Sequence, residues 1–210
     1  MKKSCSEHIN DTEYELCYLV IGEMQFLNLD DDDPSLGALE TFPTIYHARA
    51  SWLYDINTDS LQKAILAGLR SLSQERRSVN LTIADLPGYQ PGEITFKFGV
   101  GNGDGFDILD DREVRRVARR IEEKGSFRIL DLVFHLHYSA NESKSHRVHQ
   151  DEYMARLAFQ SGRVEILLHH FKGLRRISPD ELVRLLLSAT NRELTRNKYS
   201  ELELESLNST

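Results

Sequence analysis

Two alternating apolar runs, Tyr153 to Phe159 and Val164 to Phe171, flank the tetrapeptide Gln160-Ser161-Gly162-Arg163. Strand side chains alternate between faces, so a turn at Ser161-Gly162 fixes one register. In that register Phe159 faces Val164, Leu157 faces Ile166, Ala155 faces Leu168 and Tyr153 faces His170. Apolar residues meet apolar residues along one face, which marks a hairpin with a buried side. The preceding segment, 127–138, follows the same period. Leu130, Leu132, Phe134, Leu136 and Tyr138 fall on one face, and Asp131, His135 and His137 fall on the other. Strands joined by a hairpin and a polar connection, 139–150, build an antiparallel sheet.

Three segments switch to helical spacing. The first starts near Asn57 or Thr58 and carries Leu61, Ala64, Ile65, Leu69 and Leu72. The second starts at Asp110, with Glu113 three residues on, and carries Val114, Val117, Ala118 and Ile121. The third opens Ser178-Pro179-Asp180-Glu181, which combines a cap, a first-turn proline and a reciprocal glutamate. Ile56, Ile108 and Ile177 each precede a cap and read as hydrophobic staples. Further strands are expected within 14–29, at 79–84 and at 94–100. Loops are expected at 30–51, Pro87-Gly88 and Pro91-Gly92. The expected fold is α+β, a mainly antiparallel sheet with about three helices packed largely on one face. Residues 1–12 read as a flexible leader, 13–197 as a single α+β domain and 198–210 as a frayed tail.

Composition narrows the function classes. The 210 residues include 26 Lys+Arg and 33 Asp+Glu, a net charge of −7. That balance argues against general, non-specific binding of nucleic acid. Two cysteines, Cys5 and Cys17, make neither a disulfide framework nor a thiolate metal site. No apolar run approaches the roughly 18 residues of a membrane span, and the N-terminus lacks a signal-peptide core. The expected compartment is the cytoplasm, with no membrane association.

Four patterns bear on chemistry. Six of the eight histidines fall between 135 and 170. His135 and His137 share a strand face, and His169 lies on the corresponding face of the hairpin, so the three form a candidate zinc site. The segment from Gly99 to Gly105 is glycine-rich, and Asn102, Asp104, Gly105 and Asp111 match four positions of a calcium loop. Val100 occupies its first ligand position, which favours a glycine turn leading into a capped helix. No nucleophile elbow occurs, and Cys17 has no activator nearby in the sequence.

The fourth pattern is the face of the second helix opposite its apolar stripe: Arg112, Arg115, Arg116, Arg119 and Arg120. Arg112–Arg116, Arg115–Arg119 and Arg116–Arg120 are like-charge pairs at i,i+4, each costing roughly 0.2–0.5 kcal/mol in an isolated helix. A stripe of one sign suggests an acidic counterpart. It could be internal, with Asp30 to Asp33 as the candidate, or external: a phosphate-bearing ligand, an acidic protein surface or a nucleic-acid backbone. The leading function is therefore a non-enzymatic binding or adaptor protein using these arginines. The alternative is a metal-dependent or small-molecule enzyme centred on the histidine-bearing sheet face. A homo-oligomer assembled through that face is a third reading.

Overall fold

A computed structural model describes residues 36–82, 89–140 and 149–209. The elements follow the order β1 (Ala48–Leu53), α1 (Thr58–Ser73), β2 (Arg76–Thr82), β3 (Tyr89–Gly101), β4 (Phe106–Ile108), α2 (Asp111–Lys124), β5 (Ile129–Ala140), β6 (His149–Gln160), β7 (Arg163–Lys172), α3 (Pro179–Arg196) and β8 (Glu203–Ser209). The eight strands form one sheet in the order β2-β3-β5-β6-β7-β1-β8, with β4 paired to β3. All pairings are antiparallel. The fold is α+β as the periodicities predict.

The β6–β7 hairpin has the expected register at all four pairs. Gly162 makes the turn at φ +72°, a conformation that L side chains rarely adopt. Leu157 and Ile166 are fully buried in the single large apolar cluster between the sheet and the helices. Ile166→Ala should therefore cost about 2–5 kcal/mol in urea unfolding. A loss below about 1 kcal/mol would show that this face collapses around the cavity.

Each helix begins where its cap places it. Asn57 accepts from Ser60 N at 2.7 Å, and Asp110 accepts from Glu113 N at 2.8 Å. Ser178 and Glu181 make the reciprocal capping box. Of the three staple isoleucines, Ile56 and Ile177 pack against the core, but Ile108 is 73% exposed and its neighbour Leu109 is buried instead. Ile108 belongs to β4, whose alternation turns it outward.

Three expectations change. Residues 48–51, expected in a loop, belong to β1, which runs between β7 and β8. Residues 203–209, read as frayed, form the edge strand β8, with Leu202 buried and Leu204 and Leu207 packed on the core. Pro91 lies within β3 rather than in a loop, opposite Asn80 of β2. Pairing with β5 begins only at Gly92, so the missing N–H falls where β3 has one neighbour. The expected strands at 14–29, the leader 1–12 and Asp30 to Asp33 lie outside the described residues.

The sheet face opposite the helices is crossed at one end by residues 36–47. Gly37 N donates to Gly101 O, Asp131 N donates to Gly37 O, and His169 Nδ1 lies 2.6 Å from Ile45 O. Beneath this crossing segment sits a buried ion pair, Asp131 with Arg156.

Candidate functional site: the arginine helix and the histidine face

Helix α2 buries Val117 and Ile121 and leaves its arginines on the far side. The structure splits the five arginines into two groups. Arg116 turns back onto its own domain, with Nη2 2.5 Å from both Asp107 and Glu113. These carboxylates raise its pKa, Glu113 most strongly. Arg120 reaches Gly125 O at 3.3 Å, and its guanidinium lies 5.0 Å from the centre of the Phe127 ring. The other three, Arg112, Arg115 and Arg119, are exposed and make no ion pair among the described residues. Their spacing of i, i+3 and i+7 puts them on one face within two turns.

Two of the helix's acids, Asp111 and Glu122, are engaged by α1. Asp111 pairs with Arg70 of α1 at 2.7 Å, and Glu122 pairs with Lys63 of α1 at 2.8 Å. Both carboxyls are held below their ordinary pKa chiefly by those partners; Arg115 and Arg119 add a weaker attraction. The two bridges fasten α2 to α1 along one flank. The three arginines occupy the crest beside it.

Arg175 and Arg176, ahead of α3, are engaged within their own domain. Arg176 sits 3.6 Å from Asp151 and over the Tyr138 ring, and Arg175 Nε lies 3.3 Å from His170 Nδ1.

The candidate zinc ligands are not gathered. His135 faces Glu152 in β6, and His137 faces Gln150. His169 faces Met154, which is level with Val133 in β5. It is therefore two strands away from His135 and one pair further along. No group of three metal-ligating side chains occurs among the described residues. His169 instead groups with His47, from the crossing segment, at 5.1 Å between ring centres, and His47 lies 6.2 Å from His170. Burial pushes the His47 pKa down to about 4, and Arg175 and the other two histidines add to the shift. His47 carries no local signal in the sequence, because it reaches the cluster through the β1–β7 pairing. His146 lies outside the described residues.

The side chains of the candidate calcium loop are tied to one another. Asn102 accepts from Gly105 N and donates to Asp107 at 2.9 Å each, while Asp107 and Asp111 hold Arg116 and Arg70. Gly99 and Gly101 lie within β3, so the glycine-rich segment is the turn into β4 and the capped α2.

What remains on the outer sheet face is a row of polar side chains. Lys97, His135, Glu152 and Lys172 stand side by side on β3, β5, β6 and β7. Glu152 is 6% exposed, and its Oε1 lies 3.1 Å from Lys172 Nζ and 4.0 Å from His135 Nδ1. Gln150 Nε2 also donates to it. Burial lowers the pKa of His135 and His137, and Lys97 acts in the same direction on both.

No helix among the described residues is long and apolar enough to cross a membrane. Comparison with protein families, curated proteins and solved structures finds no match to this chain.

Proposed function

We propose that the protein is a non-enzymatic binding module that engages an acidic protein surface through Arg112, Arg115 and Arg119 of α2. The observation that carries this reading is the split of the arginine stripe. Arg116 and Arg120 are held by groups of the domain itself, whereas the other three are exposed and make no ion pair among the described residues. A guanidinium fork matches a carboxylate bidentately and is weakly hydrated, which suits an interface. The overall charge of −7 repels a long polyanion at a distance. A compact acidic surface meeting two turns of helix escapes most of that repulsion, because charges beyond about 8 Å are screened at physiological ionic strength.

The test uses a fluorescent tetraglutamate peptide as the acidic probe. Each exposed arginine–carboxylate contact contributes about 0.5 kcal/mol, so Arg112→Gln, Arg115→Gln and Arg119→Gln together should weaken the peptide about tenfold. Binding of the natural sequence should also fall as salt rises. The melting temperature of the triple variant should barely move, because no ion pair among the described residues is removed. Arg116→Gln should do the reverse, lowering stability and leaving peptide affinity unchanged. Equal affinity of the triple variant and the natural sequence would end this reading.

A further inference from the structure

The two ends of the crossing segment 36–47 are fastened by different chemistry. Near its start, Leu39 N donates to the Asp131 carboxylate, and Gly37 and Ala38 exchange backbone bonds with Gly101 and Gly103. At its far end the fastening is by imidazoles. His169 Nδ1 donates to Ile45 O at 2.6 Å, and His170 N donates to His47 Nδ1 at 2.9 Å. His47 N donates in turn to Leu168 O at 2.7 Å. These contacts fix the tautomers. A carbonyl only accepts, so neutral His169 carries its proton on Nδ1. A backbone N–H only donates, so neutral His47 carries its proton on Nε2.

We propose that His47 is a proton-operated latch: its neutral imidazole holds the end of the crossing segment on β7, and its protonation releases that end. The two imidazole contacts respond differently to a proton. Protonated His47 bears N–H groups at both ring nitrogens and has no lone pair left for His170 N, so two donors would face each other. Protonated His169 keeps its Nδ1–H and can still donate to Ile45 O. The response therefore belongs to His47. Release uncovers His169, which is 6% exposed while its ring lies against His47. It also unties Ile45 and Tyr46, two large apolar side chains that already face solvent.

The neighbours of His47 favour its neutral form. Facing it are His169 and His170 of β7 and Arg175 of the β7–α3 connection. All three oppose a new positive charge, and none of them is an acid. Asp151 acts on His170, and Glu165 is engaged by Arg49. Burial and these cationic neighbours bring the latched imidazole to about 4, whereas a released one returns to its ordinary value of about 6.5. The open form thus takes up the proton first. The latch is fully effective above about pH 6.5, and below it the ratio of open to closed rises by up to about tenfold per pH unit. The rise levels off near pH 4, where the latched imidazole itself takes a proton.

Hydrogen exchange of single amides in the full chain reads the latch locally. Between about pH 6 and about pH 5 the protection factor of the His170 amide should fall several-fold, by up to about tenfold. The His47 amide should follow it. Leu39, held by Asp131 at the other end of the segment, should not. His47→Asn supplies a side-chain acceptor that does not titrate, so the slope at His170 should vanish whatever the level of protection. A slope that persists in His47→Asn, or an equal slope at Leu39, would place the response elsewhere and overturn the proposal. So would protection at His170 that does not change with pH in the natural sequence. Should the variant fail to fold, the imidazole resonances of the natural sequence decide: His47 must titrate well below about 6.5, and an ordinary value would equally overturn the latch.

Discussion

Asp151→Ala is expected to lower stability by about 3–5 kcal/mol, measured as the shift in urea unfolding. Asp151 lies on the helix-covered face of β6 with no solvent exposure. Its carboxylate accepts from Tyr138 OH at 2.9 Å, Leu174 N at 2.6 Å, Arg175 N at 3.2 Å and Arg176 N at 2.7 Å. The Arg176 guanidinium adds charge at 3.6 Å. Removing the carboxylate strands several donors at once, three of them backbone groups of the β7–α3 connection. Gly173 shows how tightly that connection is drawn in: its φ is +100°, and a Cβ there would stand 2.0 Å from Asp151 Oδ1.

Tyr138→Phe removes one donor and leaves the carboxylate satisfied by the others, so its cost should be about 1–2 kcal/mol. A loss below about 1 kcal/mol for Asp151→Ala would mean that the β7–α3 connection finds other partners. In that case Asp151 does not organise it.

The parts of the fold that were legible in the sequence are those set by local rules. The β6–β7 register follows from a period of two and a Gly turn, which together set every pair from Tyr153–His170 to Phe159–Val164. The caps at Asn57, Asp110 and Ser178 are equally local. β1 and β8 were hidden for a related reason. Each is a short segment whose strand character depends on a partner remote in sequence: Ala48–Leu53 pairs with β7, and Glu203–Ser209 pairs with β1. Nothing local distinguishes such a segment from loop or tail.

The candidate site divides in the same way. Helical spacing put all five arginines on one side of α2. The partner that removes Arg116 from that surface is partly local, since Glu113 lies three residues away, and partly the β4 residue Asp107. Histidine density misled because proximity along a strand is not proximity across a sheet. His135 and His169 share a face but stand two strands apart, whereas His47, distant in sequence, lies against His169. The carboxylate that accompanies His135 is Glu152, whose position needed the β5–β6 register across a connection too long to fix it.

The crossing segment 36–47 should depend on the buried pair Asp131–Arg156. Asp131 is fully buried and Arg156 is 12% exposed. Arg156 donates to Asp131 through Nε at 2.8 Å and Nη2 at 2.7 Å. The pair also reaches upward. Asp131 accepts from Leu39 N at 2.8 Å, Arg156 Nη2 lies 3.4 Å from Leu39 O, and the guanidinium sits 4.6 Å from the centre of the Phe42 ring. Burial pushes the Asp131 carboxyl upward against the pull of Arg156 and Leu39 N, so desolvation takes back much of what the pairing contributes. One partner alone is worse than none. Asp131→Ala leaves an uncompensated guanidinium under the segment and should cost about 3–5 kcal/mol. Arg156→Met should cost a similar amount by stranding the carboxylate. Asp131→Asn combined with Arg156→Met keeps an acceptor for Leu39 N and removes both charges. The double variant should therefore lose about 1–3 kcal/mol less than the costs of Asp131→Asn alone and Arg156→Met alone added together. Amide exchange at Leu39 should rise in Asp131→Ala before the hairpin amides of β6 and β7 are affected, because the segment opens locally. Strictly additive costs, or exchange that rises equally in both places, would show that the pair stabilises the sheet as a whole and does not fasten the segment to it.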